Sequence, residues 1–224
     1  MFTKFSNAGV LLDTLNPFVF QRIKNEVREF EKDFENNYDP TDSKDLLRLF
    51  QKKRTGYSKD YTLSLELTKL IDTEVLKFIQ KFELEFNYFD RMFNFVTNVE
   101  NHEVQVKLER VWTNIQRAGE FLPLHNHTGI YSFVIWVQAP YNIQDEHDTI
   151  ANQDLIKNRS AQFEFVYTDV LGKISTHPLP IDKKWEGKIC VFPAELYHQV
   201  YPFYTSAGLR ISLAGNYRLE IIPK

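Results

Sequence analysis

Two histidines stand two residues apart in Pro123-Leu124-His125-Asn126-His127-Thr128-Gly129, just ahead of the β-prone run Tyr131 to Val137. In an extended chain, side chains i and i+2 point to the same face. His125 and His127 can therefore converge on one metal ion while Asn126 points away. Two ordinary hydrogen-bonded histidines fit the same spacing, and the pair gains weight from residues much further along the chain. His198 lies in Leu196-Tyr197-His198-Gln199-Val200, behind Phe192-Pro193, and twelve residues on Arg210 opens Arg210-Ile211-Ser212-Leu213-Ala214-Gly215-Asn216. A guanidinium matches a carboxylate in planar, two-pronged geometry, and Ser212 on the same strand face can add a third bond. The remaining histidines read as ordinary: His102 ahead of the first long strand, His147 in an acidic loop, His177 at a turn beside Pro178.

Strands and helices must hold these residues. Asn16-Pro17 is a helix start, with a side-chain cap followed by a residue that needs no N–H. Phe20, Ile23, Val27, Phe30 and Phe34 make one apolar stripe, and Asn36, Asn37 and Asp39-Pro40 end it. Leu67, Ile71, Val75, Phe78, Phe82 and Phe86 predict a second helix. Beyond residue 103 the period becomes two: Val104, Val106 and Leu108; Phe163, Phe165 and Tyr167; Leu209, Ile211 and Leu213. Many short strands point to an antiparallel sandwich or barrel. The expected organisation is a helical region over 1–102 packing on a β core over 103–224, with a polar inserted loop near 144–160. The phase of the last strand admits two readings. Either Leu209, Ile211 and Leu213 face the barrel core and Arg210 faces solvent, or Arg210 and Ser212 face a polar interior and helices cover the apolar phase.

Composition narrows the classes. Of 224 residues, 43% are hydrophobic, which is enough for a sizeable core. A net charge of −3 and a pI near 6.1 give no basic field for nucleic acid. Lys52-Lys53-Arg54 reads as a solvated loop, and Trp112, Trp136 and Trp185 as core or rim residues. The one cysteine, Cys190, sits in an apolar run and can form no intramolecular disulfide, which fits a reducing cytoplasm. Met1 to Leu15 lacks a basic region followed by an apolar stretch, and no apolar run approaches the ~20 residues of a membrane span. A cytoplasmic protein with no membrane partner is expected.

The order of a proximal histidine motif, a distal histidine and then an arginine resembles the 2-oxoglutarate- and iron(II)-dependent dioxygenases. Trp112-x-Asn114, His125-Asn126-His127-x-Gly129, Ser132-Phe133-Val134-Ile135-Trp136, Phe192-Pro193, His198, Pro202-Phe203 and Arg210-Ile211-Ser212 look more closely like oxygenases carried by tailed bacteriophages of marine bacteria. The likeness covers most of 110–217 and extends weakly to Arg54-Thr55-Gly56 and Asp60-Tyr61-Thr62-Leu63. It implies a double-stranded β-helix, or jelly roll. It also implies iron(II), 2-oxoglutarate and dioxygen, with 2-oxoglutarate oxidised to succinate as an unidentified substrate, a small molecule or protein side chain, is hydroxylated. By the same resemblance Arg210 and Ser212 hold the far carboxylate of 2-oxoglutarate, and Asn114 and Asn216 are further polar candidates.

The sequence departs from the family pattern where His-x-Asp or His-x-Glu is usual, because His127 occupies the carboxylate position. Three arrangements are open. His125, His127 and His198 can all bind iron. His127 can be the proximal ligand, with Gly129 at the carboxylate position. A remote acid such as Asp145 or Glu146 can complete the shell. Two rival functions share the fold: a three-histidine zinc or other metal hydrolase, and a jelly-roll binding module without catalysis.

Overall fold

The computed structural model describes residues 1–5, 9–36, 61–97, 102–149 and 158–223. Asn37, Asp39-Pro40, Lys52-Lys53-Arg54, Arg54-Thr55-Gly56, Asp60 and the middle of the expected insertion lie outside them. In chain order the elements are β1 (Phe2–Lys4), β2 (Gly9–Thr14), α1 (Pro17–Asn36), α2 (Leu65–Phe86), α3 (Tyr88–Thr97), β3 (His102–Gln116), β4 (Leu122–His125) and β5 (Tyr131–Gln138). The later elements are α4 (Ile143–His147), β6 (Gln162–Thr168), β7 (Ile174–Pro180), β8 (Lys188–Pro193), β9 (His198–Val200) and β10 (Arg210–Pro223). All strand pairs are antiparallel. A six-stranded sheet runs β1-β2-β8-β5-β10-β3 and a four-stranded sheet runs β4-β9-β6-β7. Together they form a jelly roll.

Both expected helices form. Asn16 Oδ1 accepts from the Phe18 amide at 2.9 Å to open α1. Ser64 caps α2, and Asn87, in the left-handed region at φ 45°, ends it. The buried stripe of α1 is Val19, Ile23, Val27 and Phe34; Phe20 and Phe30 pack at its edges. Residues before 103 are not all helical, however. The Gly9–Thr14 segment, Gly-Val-Leu-Leu-Asp-Thr, is too short and too evenly apolar to show a period, and it pairs with β8 inside the large sheet.

Two apolar layers result. In one, Val19, Ile23, Ile71 and Val75 from the helices meet Ile211 and Leu213 of the large sheet. In the other, Phe163 and Phe165 of the small sheet meet Val134, Trp136 and Phe192 of the large one. Two buried tyrosines lock helix α2 to the sheet: Tyr131 Oη donates to Glu83 at 2.7 Å and Tyr217 Oη to Asp72 at 2.8 Å. Burial raises both phenols, and the carboxylate acceptors raise them further, so both stay protonated donors. The layering decides the phase of β10. Leu209, Ile211 and Leu213 lie under the helices, and Arg210 is buried on the opposite face. Among the described residues no helix is long and apolar enough to cross a membrane.

Ile211 is 1% exposed at the middle of the helix-facing layer. Ile211→Ala is expected to cost about 2–5 kcal/mol of unfolding free energy, because helices and sheet cannot both collapse into the space left. Urea unfolding of the two proteins measures it; a loss below about 0.5 kcal/mol would mean that the helices do not cover this face.

Candidate metal centre

Strands β4 and β9 pair so that His125 stands directly opposite His198, with ring centroids 4.3 Å apart. His127 lies just beyond β4, where its amide donates to the Ala194 carbonyl at 2.8 Å. Its ring is 4.9 Å from that of His198 and 5.2 Å from that of His125. Gly129 makes the turn into β5 possible. It sits at φ 100°, and a Cβ there would lie 2.5 Å from the Tyr217 carbonyl oxygen, so only glycine lets the chain pass this close to β10. One ligand atom from each of the three histidines lies within 4.8 Å of the others, close enough to hold one metal ion.

The rings are held in a common sense. His125 Nδ1 is 2.7 Å from the Pro123 carbonyl, His198 Nδ1 is 2.9 Å from the Leu196 carbonyl, and His127 Nδ1 is 2.9 Å from Ser132 Oγ. A carbonyl oxygen can only accept, so Nδ1 carries the proton in His125 and His198 and Nε2 is the nitrogen left to ligate. His198 is buried against Phe163, which stacks on it at 5.3 Å, and Phe192. Burial holds its pKa well below the ordinary histidine value, and the neighbouring His125 and His127 push the same way. The neutral form that a metal needs is therefore the resting form.

On the same interior surface Arg210 is 4% exposed. Its Nε donates to Gln116 Oε1 at 3.0 Å, and Nη1 donates to the Tyr201 carbonyl at 2.9 Å and Tyr141 Oη at 3.3 Å. Phe203 lies under the guanidinium at 5.2 Å and stacks on Tyr141 at 4.7 Å. Arg210 Nη2 and Gln116 Nε2 are buried without a hydrogen-bond partner. A buried guanidinium whose hydrogen-bond acceptors are neutral, with Nη2 to spare, suits an anion, and Arg210 also acts electrostatically on the partly buried Glu120 carboxyl. Ser212 is half-buried two residues along and stands opposite Asn114 of β3 in the strand register.

Some sequence candidates have other partners. Glu146 is fully buried, and its carboxylate accepts from the Tyr204 and Thr205 amides at 2.8 Å each. Asp145 accepts from Asn142 at 3.0 Å. Both acids are thus engaged in shaping the 142–148 and 203–205 turns. Asn216 accepts from Ser132 Oγ at 2.8 Å, which places it behind His127 rather than beside Arg210. Gln116, Tyr141 and Ser132 were missed. Gln116 shares the Asn114 face two residues on, so its signal was present; Tyr141 lies past the end of its strand, where periodicity is silent. Trp112 is more than a rim residue: its ring stands edge-on to His127 at 5.4 Å. A cleft of about 410 Å³, lined by Tyr88, Leu124, Val166, Ile174, Leu196 and Tyr197 among others, includes none of the three histidines and not Arg210, so it is not where the chemistry sits.

Residues 110–216, which contain all three histidines and Arg210, match the model of the family described as "Putative 2OG-Fe(II) oxygenase". No curated protein matches the sequence. Among solved structures, AviO1 from Streptomyces viridochromogenes Tue57 is 12% identical over 96% of this chain and 91% of that one, with a TM-score of 0.52, a likeness of fold alone. A prolyl hydroxylase from Trichoplax adhaerens, solved with a hypoxia inducible factor oxygen degradation domain peptide fragment, is 11% identical over 95% of this chain and 84% of that one, with a TM-score of 0.48. An oxidoreductase of the 2OG-Fe(II) oxygenase family from Burkholderia pseudomallei is 16% identical over 57% of this chain, with a TM-score of 0.36, and the chain spans 50% of its length. The donors present suit a metal ion and an anion: three imidazoles stand close enough to hold one metal, and Arg210 keeps a buried Nη2 without a hydrogen-bond partner among the described residues. Residues 110–216, just under half of the chain, are thus similar to the 2OG-Fe(II) oxygenases, and the three histidines and Arg210 all fall inside the matched stretch.

Proposed function

We propose that the protein hydroxylates a small molecule or a protein side chain, with His125, His127 and His198 as the iron ligands and Arg210 as the anchor of 2-oxoglutarate. The observation that carries this reading is the buried Arg210 Nη2 without a partner on the same interior surface as the triad. When bound, iron(II) would let dioxygen act as the oxidant, with 2-oxoglutarate and the substrate each giving up two electrons: dioxygen, 2-oxoglutarate and a C–H bond become succinate, carbon dioxide and an alcohol. The chain's own residues bind, orient and exclude water. The histidines offer Nε2 with Nδ1 held behind. Arg210 Nη2 and Gln116 Nε2 donate to the far carboxylate, with the Tyr141 hydroxyl, Ser212 and Asn114 at hand for its remaining lone pairs. Phe203 and Tyr141 keep that end dry, which strengthens each bond. Substrate reaches the metal from the His125 and His127 side, since those two rings are half-exposed and His198 is buried. A zinc hydrolase would use the triad and leave Arg210 and Gln116 without a role. We also propose, on the finer sequence resemblance and the single buried Cys190, that the protein works in the cytoplasm of a phage-infected host.

Purified protein with iron(II), 2-oxoglutarate and air is expected to release succinate, measured by mass spectrometry; no succinate with iron bound would overturn the reading. Arg210→Lys keeps the charge but loses the two-pronged fork. It is expected to raise the dissociation constant for 2-oxoglutarate at least tenfold in an anaerobic titration, and an unchanged value would remove Arg210 from the site.

Burial makes a second, pH-dependent prediction. The folded-state pKa of His198 lies below its unfolded value of about 6.5, so below that pH the unfolded chain binds a proton that the native state refuses. Stability is present above the unfolded pKa and is lost as pH falls, by up to ~1.4 kcal/mol per pH unit for one group. Burial lowers His177 in the same direction. The metal-free protein is therefore expected to melt at a lower temperature at pH 5.5 than at pH 7. In His198→Gln the slope should flatten, measurable by calorimetry at both pH values. An equal slope in parent and variant would place the proton uptake elsewhere.

A further inference from the structure

We propose that Ser132 and Asn216 are positioning residues of the metal centre. They form a hydrogen-bond relay that fixes His127 as a ligand at the position where the superfamily usually has a carboxylate. The proposal rests on the three-histidine reading above. Ser132 is fully buried on β5 and pairs directly with Asn216 of β10 in the strand register. Ser132 Oγ lies 2.9 Å from His127 Nδ1 and donates to Asn216 Oδ1 at 2.8 Å.

The order of this chain sets the tautomer of His127. A hydroxyl has one proton. Once it is given to the Asn216 carbonyl oxygen, Oγ can act toward the imidazole only as an acceptor. His127 Nδ1 must then hold the ring proton, and Nε2 carries the lone pair. His125 and His198 receive the same instruction from backbone carbonyls, which cannot reverse. His127 alone depends on side chains for it. Were the Asn216 amide turned over, its NH₂ would donate to Ser132, the serine would donate to Nδ1, and the proton would move to Nε2, where it blocks a metal. The register of β10 against β3 shifts between Asn216 and Tyr217, the kind of irregularity that re-aims a side chain beside a site. The neighbouring Tyr217 carbonyl accepts from the Ile130 amide at 2.7 Å, which ties the His127 turn to the same point of β10.

The test is cobalt(II) binding to the metal-free protein without co-substrate, followed by titration and by the d–d absorption that reports coordination, with a melting curve for each variant. Ser132→Ala is expected to weaken cobalt(II) 10–100-fold, the usual effect of removing a group that orients a ligand, and to change the d–d bands. Asn216→Ala should weaken it similarly. Asn216→Asp, which can only accept and adds a negative charge behind the ring, should bind as tightly as the parent or more tightly. In a His127→Asp background the ring is gone, so adding Ser132→Ala should change nothing further. If Ser132→Ala binds cobalt(II) like the parent while His127→Ala does not, the relay is overturned and the triad stands. If His127→Ala also binds like the parent, the three-histidine reading fails instead. Should Ser132→Ala fail to fold, the two Asn216 variants decide: equal weakening by Ala and Asp overturns the relay.

Discussion

The two-residue period of β10 is the constraint on which the rest depends. The strand is paired on both edges, with β3 on one side and β5 on the other, so it cannot rotate or slip to relieve a mismatch. Its odd-numbered residues, Leu209, Ile211 and Leu213, are apolar and can be buried only if something outside the sheet covers them. Helices α1 and α2 do so with Val19, Ile23, Ile71 and Val75. Its even-numbered residues then have no choice but to face inward, and Arg210, Ser212 and Asn216 become the polar floor of the barrel. The helices are thus not an appendage to the catalytic fold. Without them the apolar phase would be drawn inward and Arg210 would turn to solvent.

Charge follows from that geometry. On the proposed reading the triad adds no negative charge at the metal, and Arg210 adds a buried positive charge whose hydrogen-bond acceptors are all uncharged, although it also acts electrostatically on the partly buried Glu120 carboxyl. Burying a guanidinium this way costs several kcal/mol against water; the three acceptors and the Phe203 face offset part of it. An iron(II) ion at the triad would add two further charges with no carboxylate to balance them. A dianionic co-substrate answers both demands, one carboxylate at the metal end and one at Arg210. With His127 in place of the usual acidic ligand, as proposed, charge balance would shift from the protein to the co-substrate, and anion binding would be stronger where metal is already bound. It also leaves a donor set that other divalent metals suit as well as iron.

Much of this was legible in the chain because it rests on local periods. The i, i+2 spacing of His125 and His127 and the apolar stripe of α2 each declare a face, whereas the alternation around Arg210 admits two phases, between which only the covering helices decide. What stayed hidden is non-local. Gly9–Thr14 reads as a run without period because both of its faces are covered, and nothing within six residues tells such a strand from a piece of core helix. Glu146 reads as a remote acid able to complete the metal shell, whereas its carboxylate accepts from the Tyr204 and Thr205 amides 58 and 59 residues away. Asn216 was rightly placed on the inner face, but a face does not say which neighbour a side chain meets. Only the register with Ser132 turns it toward His127.

On the proposed three-histidine reading, that register also accounts for how a histidine would stand in a carboxylate's place. A carboxylate ligand needs no tautomer; either oxygen serves. An imidazole works only with its proton on the far nitrogen, so exchanging one for the other adds a requirement behind the ligand as well as at it. In His125 and His198 the backbone meets it, since each ring reaches the carbonyl two residues before it, Pro123 and Leu196. His127 cannot use that device in the same way, because its turn is pinned by the Ala194 carbonyl and by Gly129 against β10. Its acceptor has to come from across the sheet, and a small hydroxyl at Ser132, backed by an amide oxygen, fits the 2.9 Å that the turn leaves. On the proposed reading His127, Ser132 and Asn216 would act as one substitution in physical terms, the change of ligand type being matched by the hydroxyl and the amide behind it.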